Sequence, residues 1–280
     1  MPRIRGVLVD LSGTLHVEDA VIPGCVAALD QLLRTPSVSV RFVTNTTTKS
    51  REDLVAKLHA IGLTAIQPES VLTTGGIARS LLEKRGLRPL LLVGPSLDSE
   101  FAGLPRSDPN AVVVGLAPDQ FHYDRLNEAF RILLNGGELI ALHEARYFAV
   151  KDGLNLGPGA FVKALEYAAK TTATVIGKPS PSYFIQALEE LCVSISVSKR
   201  RQCLFTDNGH FWQPHVRAEE AVMIGDDVQQ DVCGALAVGM RGVLVRTGKY
   251  RTGDEATAGV SPSYVAQDFA DAIAWIVQQN

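Results

Sequence analysis

No stretch of this chain carries the roughly 18–20 consecutive apolar residues that a bilayer-crossing helix requires, and no membrane partner is expected. The first twenty residues lack the layout of a secretory leader, because an apolar strand-like run is reached at once and already contains Asp10. Cysteine is sparse. Cys25, Cys192, Cys203 and Cys233 show no CxxC spacing, which argues against a disulfide framework or a structural zinc site. A link between Cys192 and Cys203 has no matching second pair to support it. Scattered thiols fit a reducing compartment, so a cytoplasmic location is expected. A formal charge of −3 over 280 residues gives no reason to expect nucleic acid or an anionic surface as partner. Internal repeats and long low-complexity tracts are also missing.

What is present is alternation. Short β-branched runs follow helical patterns nearly throughout, which predicts an α/β fold with a mainly parallel sheet. Strands are expected at 7–10, 38–44 and near 71–72, with helices at 23–33, from 51 to about 61, and at 77–84. Ser50 ahead of Arg51-Glu52-Asp53 reads as a helix cap. From about residue 88 the alternation restarts. Strands at 89–93, 111–115, 139–142 and 147–150 and helices at 123–134 and 161–169 could bury a core of their own. Residues 85–174 are therefore expected to form a domain inserted into a discontinuous core of residues 1–84 and 175–280. The outer pattern then resumes with a strand at 173–177, a helix at 183–191, a strand at 221–225, a helix at 228–238, a strand at 241–246 and a terminal helix at 269–278.

Residues 192–217 break this rhythm, with Ser-Val alternation, the basic triplet Lys199-Arg200-Arg201 and the run Phe211-Trp212-Gln213-Pro214. A basic triplet near aromatics is compatible with RNA contact, but an exposed loop insertion within the core is the commoner meaning of such a segment.

Four islands carry chemistry, each just after an expected strand. Val7-Leu8-Val9-Asp10-Leu11-Ser12-Gly13-Thr14 delivers a carboxylate to a glycine turn, and Ala221-Val222-Met223-Ile224-Gly225-Asp226-Asp227 repeats that ending, with Asp231 close behind. Between them lie Thr44-Asn45 and Gly177-Lys178-Pro179. Loops beyond the carboxyl ends of parallel strands converge on one crevice, so residues far apart in sequence can meet there. Paired carboxylates at an oxygen-rich turn suit Mg²⁺. A lysine and a threonine hydroxyl can hold phosphate oxygens. Asp10 could then accept a phosphoryl group covalently. Taken singly, each island has a plainer meaning: a turn aspartate, a helix-capping pair, a surface lysine or an ordinary turn. Their order along the chain gives the group its weight. A receiver domain uses the same residue types, but its acidic pair comes first and its chain is about half as long.

With Arg41-Phe42-Val43-Thr44-Asn45-Thr46-Thr47-Thr48-Lys49-Ser50 as a second motif, the chain resembles the haloacid dehalogenase superfamily of phosphatases, in the branch with a large cap between the second and third motifs. The likeness covers nearly the whole chain outside 192–217. It implies a Rossmann-like core, residues 85–174 as an α/β cap, and a Mg²⁺-dependent phosphatase acting on a small phosphorylated molecule. Asp10 would be nucleophile and metal ligand, Ser12 would offer its backbone carbonyl to the metal, and Asp226 would be the further metal carboxylate. Asp10, Leu11, Ser12, Thr44, Asn45 and Lys178 would hold the phosphoryl group, with Asp227 and Asp231 orienting metal waters and Lys178. Homodimerisation through the cap is common in this branch and is an expectation here.

Ser12 departs from the pattern. Most phosphatases of the superfamily have there an aspartate that protonates the leaving group and then activates water, and a serine cannot supply that titration. Three readings stay open: a phosphatase favouring good leaving groups or labile P–N bonds, a binding or regulatory protein with little or no turnover, and a phosphotransferase passing the phosphoryl group to an acceptor other than water. Weaker signals are Gly153, Gly157 and Gly159, which lack a phosphate-loop spacing, and His16, near Asp10 in sequence. His59 reads as structural, and Tyr147 and Phe148 as core residues of the cap.

Overall fold

The computed structural model describes residues 2–150, 153–198 and 216–279. The chain divides into two compact units. The first comprises residues 1–44, 58–71 and 178–280, the second residues 45–57 and 72–177.

The first unit is built on a sheet with the order Tyr264–Ala266, Arg241–Val245, Ala221–Gly225, Gly6–Asp10 and Ser39–Thr44. The pairings from Ser39–Thr44 through Tyr264–Ala266 are all parallel. Gly6–Asp10, Ala221–Gly225 and Arg241–Val245 are buried at every position. That explains their unbroken apolar character: parallel strands are covered on both faces and have no solvent side to mark with polar residues. From Gly6–Asp10 the chain builds outward on one side, then returns to build outward on the other from Ala221–Gly225. The topological switch point therefore falls between these two strands. It is the place where the crevice at the carboxyl ends of an open sheet is deepest.

The second unit has its own parallel four-stranded sheet, in the order Thr174–Val175, Glu138–Ala141, Ala111–Val114, Pro89–Leu92. Helices Tyr123–Leu134 and Gly159–Ala169 pack a core of Leu90, Leu92, Val112, Val114, Ala129, Leu133, Leu139, Val162 and Leu165.

Several elements differ from expectation. The strand expected at 173–177 shrinks to Thr174–Val175 and pairs with Ile140 and Ala141, so it completes the second unit's sheet rather than resuming the first. Gly153–Leu156 is a strand, antiparallel to Tyr147–Val150. A side chain at Gly157 or Gly159 would collide with the carbonyls of Ala145 and Glu144, so these glycines serve close backbone packing. The helix expected to end at Leu191 runs over Pro181–Ser198. Lys199-Arg200-Arg201, Cys203 and Phe211-Trp212-Gln213-Pro214 lie outside the described residues. Residues 228–238 form a π-helical turn, Val228–Cys233, before a short helix, Gly234–Ala237. Among the described residues no helix is long and apolar enough to cross a membrane, and Cys25 and Cys233 are free thiols.

Candidate functional site

Asp10 is the last residue of its strand and Asp226 the first after the neighbouring one, and the pairing of Val9 with Ile224 sets the two carboxylates side by side. Asp231 comes from the π-helical turn that follows, a geometry frequent at functional sites. Asp10, Asp226 and Asp231 are all buried, and each offers a carboxylate oxygen within 4.8 Å of the others. Lys178 enters from a point 168 residues beyond Asp10 in the sequence, just before a cis Lys178–Pro179 bond. Its Nζ donates to Asp10 Oδ1 and to Asp231 Oδ1, both at 2.6 Å. Thr14 Oγ1 donates to the other Asp10 oxygen at 3.3 Å. Glycine is required around this cluster. Gly13 has φ +93°, and a side chain there would strike the Asp226 carboxylate; one at Gly225 would strike Asp231.

Among these four ionisable groups, three carboxylates face one ammonium, which leaves two negative charges. The electrostatics reflect that excess. Burial, reinforced by the charge of Asp10, pushes the Asp226 carboxyl up to about 6, against the opposing pull of the Lys249 amide. Burial likewise raises Asp231 to about 8; Lys178 pulls it down while Asp10 and Asp226 add to the rise. For Lys178, burial disfavours the ammonium, but the Asp10 and Asp231 carboxylates outweigh it and hold its pKa above the ordinary lysine range. These directions oppose one another, since a charged Lys178 calls for ionised partners and raised carboxyls favour neutral ones. The two 2.6 Å contacts decide for the ion pairs, and the raised carboxyls express the negative charge left over. A divalent hard cation fits this donor set, which is all oxygen, buried and in excess by the charge of one such ion.

The other residues singled out in the sequence divide. Ser12 is exposed on the Asp10 turn, and Leu11 is buried, its carbonyl accepting from the Leu15 amide at 2.9 Å. Val43 pairs with Asp10, so Thr44 stands one residue further along the adjacent strand. Its amide donates to Tyr183 Oη at 2.9 Å, a contact that ties this strand end to helix Pro181–Ser198. Asn45 belongs to the second unit, where its Oδ1 lies within 2.7 Å of the place a Gly177 side chain would occupy. Asp227 caps the π-helical turn, accepting from the Gln229 and Gln230 amides at 3.1 and 3.0 Å, while its own amide donates to Asp231 Oδ2 at 3.2 Å. The capping reading thus holds for Asp227, and Asp226 is the member of that pair that enters the cluster. His16 is buried, with Nδ1 2.9 Å from the Glu18 carbonyl. His59 is structural as expected, its Nε2 lying 2.7 Å from the Ile66 carbonyl.

Sequence reasoning missed a fifth island. After strand Arg241–Val245, the turn Thr247-Gly248-Lys249 reaches into the cluster. Thr247 Oγ1 donates to the Gly13 carbonyl at 2.5 Å, and the Lys249 amide donates to Asp226 Oδ2 at 2.6 Å. The available signal was positional: another apolar strand ending in a glycine turn, in the same sheet.

The chain carries a doubly wound sheet with an acidic cluster and a buried lysine near its switch point, and known proteins are similar to it over nearly its whole length. The haloacid dehalogenase-like hydrolase family profile matches residues 7–104, and a HAD-hydrolase-like profile matches residues 175–272. Haloacid dehalogenase-like hydrolase domain-containing protein 2 of Homo sapiens is 49% identical over 275 residues, covering 98% of this chain and 96% of the relative. Phospholysine phosphohistidine inorganic pyrophosphate phosphatase of Xenopus laevis is 39% identical over 277 residues, covering 96% of this chain and 93% of the relative. Among solved structures, the p-nitrophenyl phosphatase from Archaeoglobus fulgidus superposes with a TM-score of 0.82 at 25% identity, covering 98% of this chain and 100% of that one. The chain belongs to the haloacid dehalogenase-like hydrolase family, and it is an enzyme of that family's phosphatase type.

Proposed function

We propose that this enzyme is a Mg²⁺-dependent phosphatase that hydrolyses a small phosphorylated molecule through a covalent aspartyl phosphate on Asp10. The observation carrying this reading is the buried Lys178 bridging Asp10 and Asp231 within a carboxylate cluster that retains two negative charges. Asp10 and Asp226, with the Ser12 backbone carbonyl, are the groups that would hold the metal. When bound, Mg²⁺ would neutralise phosphoryl oxygens and favour ionised Asp10. Lys178 holds Asp10 Oδ1, and Oδ2, which accepts the longer Thr14 contact at 3.3 Å, is the oxygen that would attack phosphorus. Backbone groups of Leu11 and Ser12, the Thr44 and Asn45 segment and Lys178 would hold the transferring oxygens. The P–O or P–N bond to the leaving group breaks as the Asp10–phosphorus bond forms, and water then hydrolyses the acyl phosphate, restoring the carboxylate. Asp227 and Asp231 orient this machinery, and residues 85–174 are read as the cap that supplies specificity.

Ser12 shapes the substrate class. With no carboxyl at that position to protonate the departing group, substrates whose leaving groups need little proton transfer are favoured. The name of the Xenopus laevis relative, with its phospholysine, phosphohistidine and pyrophosphate, supports such a class. The deciding experiment is Asp10→Asn assayed with p-nitrophenyl phosphate and MgCl₂. Loss of a nucleophile is expected to lower turnover by at least about a thousandfold, with the circular dichroism spectrum retained. Full activity in this variant would remove Asp10 as nucleophile. Serine at position 12, in place of the usual acid/base aspartate, supports one second reading, a binding or regulatory protein of this fold with little or no turnover. Its signature is no hydrolysis across a broad phosphate panel while Mg²⁺ or phosphate still raises the melting temperature.

A further inference from the structure

We propose that Thr247 and Gly248 are positioning residues that lock the Asp10 turn to the Asp226 carboxylate and so set the geometry of the metal site; the proposal rests on the divalent-cation reading above. Strand Arg241–Val245 pairs Leu244 with Gly225, so the turn after it arrives beside Asp226. From there it grips both neighbours. The Thr247 hydroxyl donates to the carbonyl of Gly13, three residues beyond Asp10, at 2.5 Å. The Lys249 amide donates to Asp226 Oδ2 at 2.6 Å, which holds that carboxylate oxygen against the turn.

The space between the three loops is closed. Gly248 has φ +56°, and a side chain there would overlap both Asp226 Oδ2 and the Gly13 Cα, while one on Gly13 would overlap the same Asp226 oxygen. Three loops that follow three adjacent strands thus interlock through two glycines and two hydrogen bonds. The Asp10 turn cannot shift relative to Asp226 without breaking the Thr247 contact. Lys249 adds a looser outer tie, its Nζ lying 3.6 Å from Asp227 Oδ2. None of these residues need touch substrate; they act through Asp226 and the turn that carries Ser12.

The test is Mg²⁺ binding to the full-length protein by titration calorimetry with MgCl₂, beside turnover of p-nitrophenyl phosphate and melting in EDTA. Thr247→Val keeps the shape and removes the donor; Thr247→Ser restores it. Residues orienting metal ligands typically tune affinity by about 10–100-fold, so Thr247→Val is expected to weaken Mg²⁺ binding by about tenfold or more, and Thr247→Ser to recover most of the loss. At saturating Mg²⁺ the Thr247→Val turnover should approach that of the native protein, a split that general destabilisation would not produce. Unchanged Mg²⁺ affinity in Thr247→Val overturns the proposal. So does a weakening that Thr247→Ser fails to recover, or one that tracks only a lowered melting temperature in EDTA. A native protein that binds Mg²⁺, a weakened Thr247→Val and no turnover in either would leave the interlock standing and remove the phosphatase reading. No Mg²⁺ binding by the native protein overturns both.

Discussion

Lys178 Nζ lies 2.6 Å from Asp10 Oδ1, joining two residues 168 positions apart in a contact that is buried on both sides. A second contact of the same length to Asp231 makes the lysine the hub of the cluster. Its protonated form is favoured by folding, because its pKa is held above that of an ordinary lysine. That stabilisation is complete below the unfolded lysine value and is lost only as pH rises through the higher folded one, so it is fully present at neutral pH. Lys178→Met leaves three buried carboxylates without their ammonium. The expected cost is roughly 3–5 kcal/mol at pH 8, as for breaking a buried ion pair from one side. Protonation of the orphaned carboxyls at pH 5 should shrink it. Urea denaturation at the two pH values checks this, and an equal loss at both would show that the lysine acts by packing alone.

The Asp10, Thr44 and Asp226 islands were legible in the sequence because each places a chemically distinctive residue at the end of an apolar strand of one parallel sheet, and parallel strands bring such ends together. Lys178 follows Thr174–Val175, a short strand of the other sheet, and that rule does not account for it. Asp10 and Asp226 need only that rule and the register of two neighbouring strands. The Thr247 turn was not legible. Its contributions are one hydroxyl and one backbone amide aimed at other loops, and nothing in Thr-Gly-Lys separates that from an ordinary turn. Other differences have local causes. Tyr264–Ala266 is a three-residue edge strand, too short for periodicity to show. Ser-Val alternation after Leu191 suggests a strand or loop, yet the helix continues through it to Ser198. Gly153–Leu156 hid behind its flanking glycines, whose role is close backbone approach.

Ser12 follows Asp10 by two residues and is exposed on the turn. If proton transfer to the leaving group limits turnover, a carboxyl there should help poor leaving groups most. Ser12→Asp is therefore expected to raise hydrolysis of an alkyl phosphate by roughly tenfold or more, within the range general acid catalysis supplies. Hydrolysis of p-nitrophenyl phosphate should change little, since its leaving group departs without a proton. The comparison of the two rates in one preparation isolates the effect. Equal changes for both substrates would mean that another group already donates the proton.

Asp226 gives the clearest pH dependence. Burial and the nearby charge of Asp10 push its carboxyl up to about 6 in the folded protein, against roughly 3.9 for an unfolded aspartate. A group that holds its proton more tightly when folded stabilises the fold below the unfolded value, and that contribution is lost as pH rises through about 6. In EDTA at pH 7–8 the ionised carboxylate is therefore a liability. Asp226→Asn removes the charge while its side-chain oxygen can still accept from the Lys249 amide. The variant should be more stable than the native protein by roughly 1–3 kcal/mol under those conditions, with the two converging near pH 4. Added Mg²⁺ should reverse the order at pH 8, because a ligand that binds the folded state raises its stability by mass action and the amide is a poorer ligand for a hard cation. At pH 5, where the Asp226 proton competes with the metal, the same Mg²⁺ concentration should stabilise the native protein less. Thermal melts of both proteins with EDTA or MgCl₂ across this range read all three effects. A variant that melts below the native protein in EDTA at pH 8 would contradict the charge-excess account of the cluster.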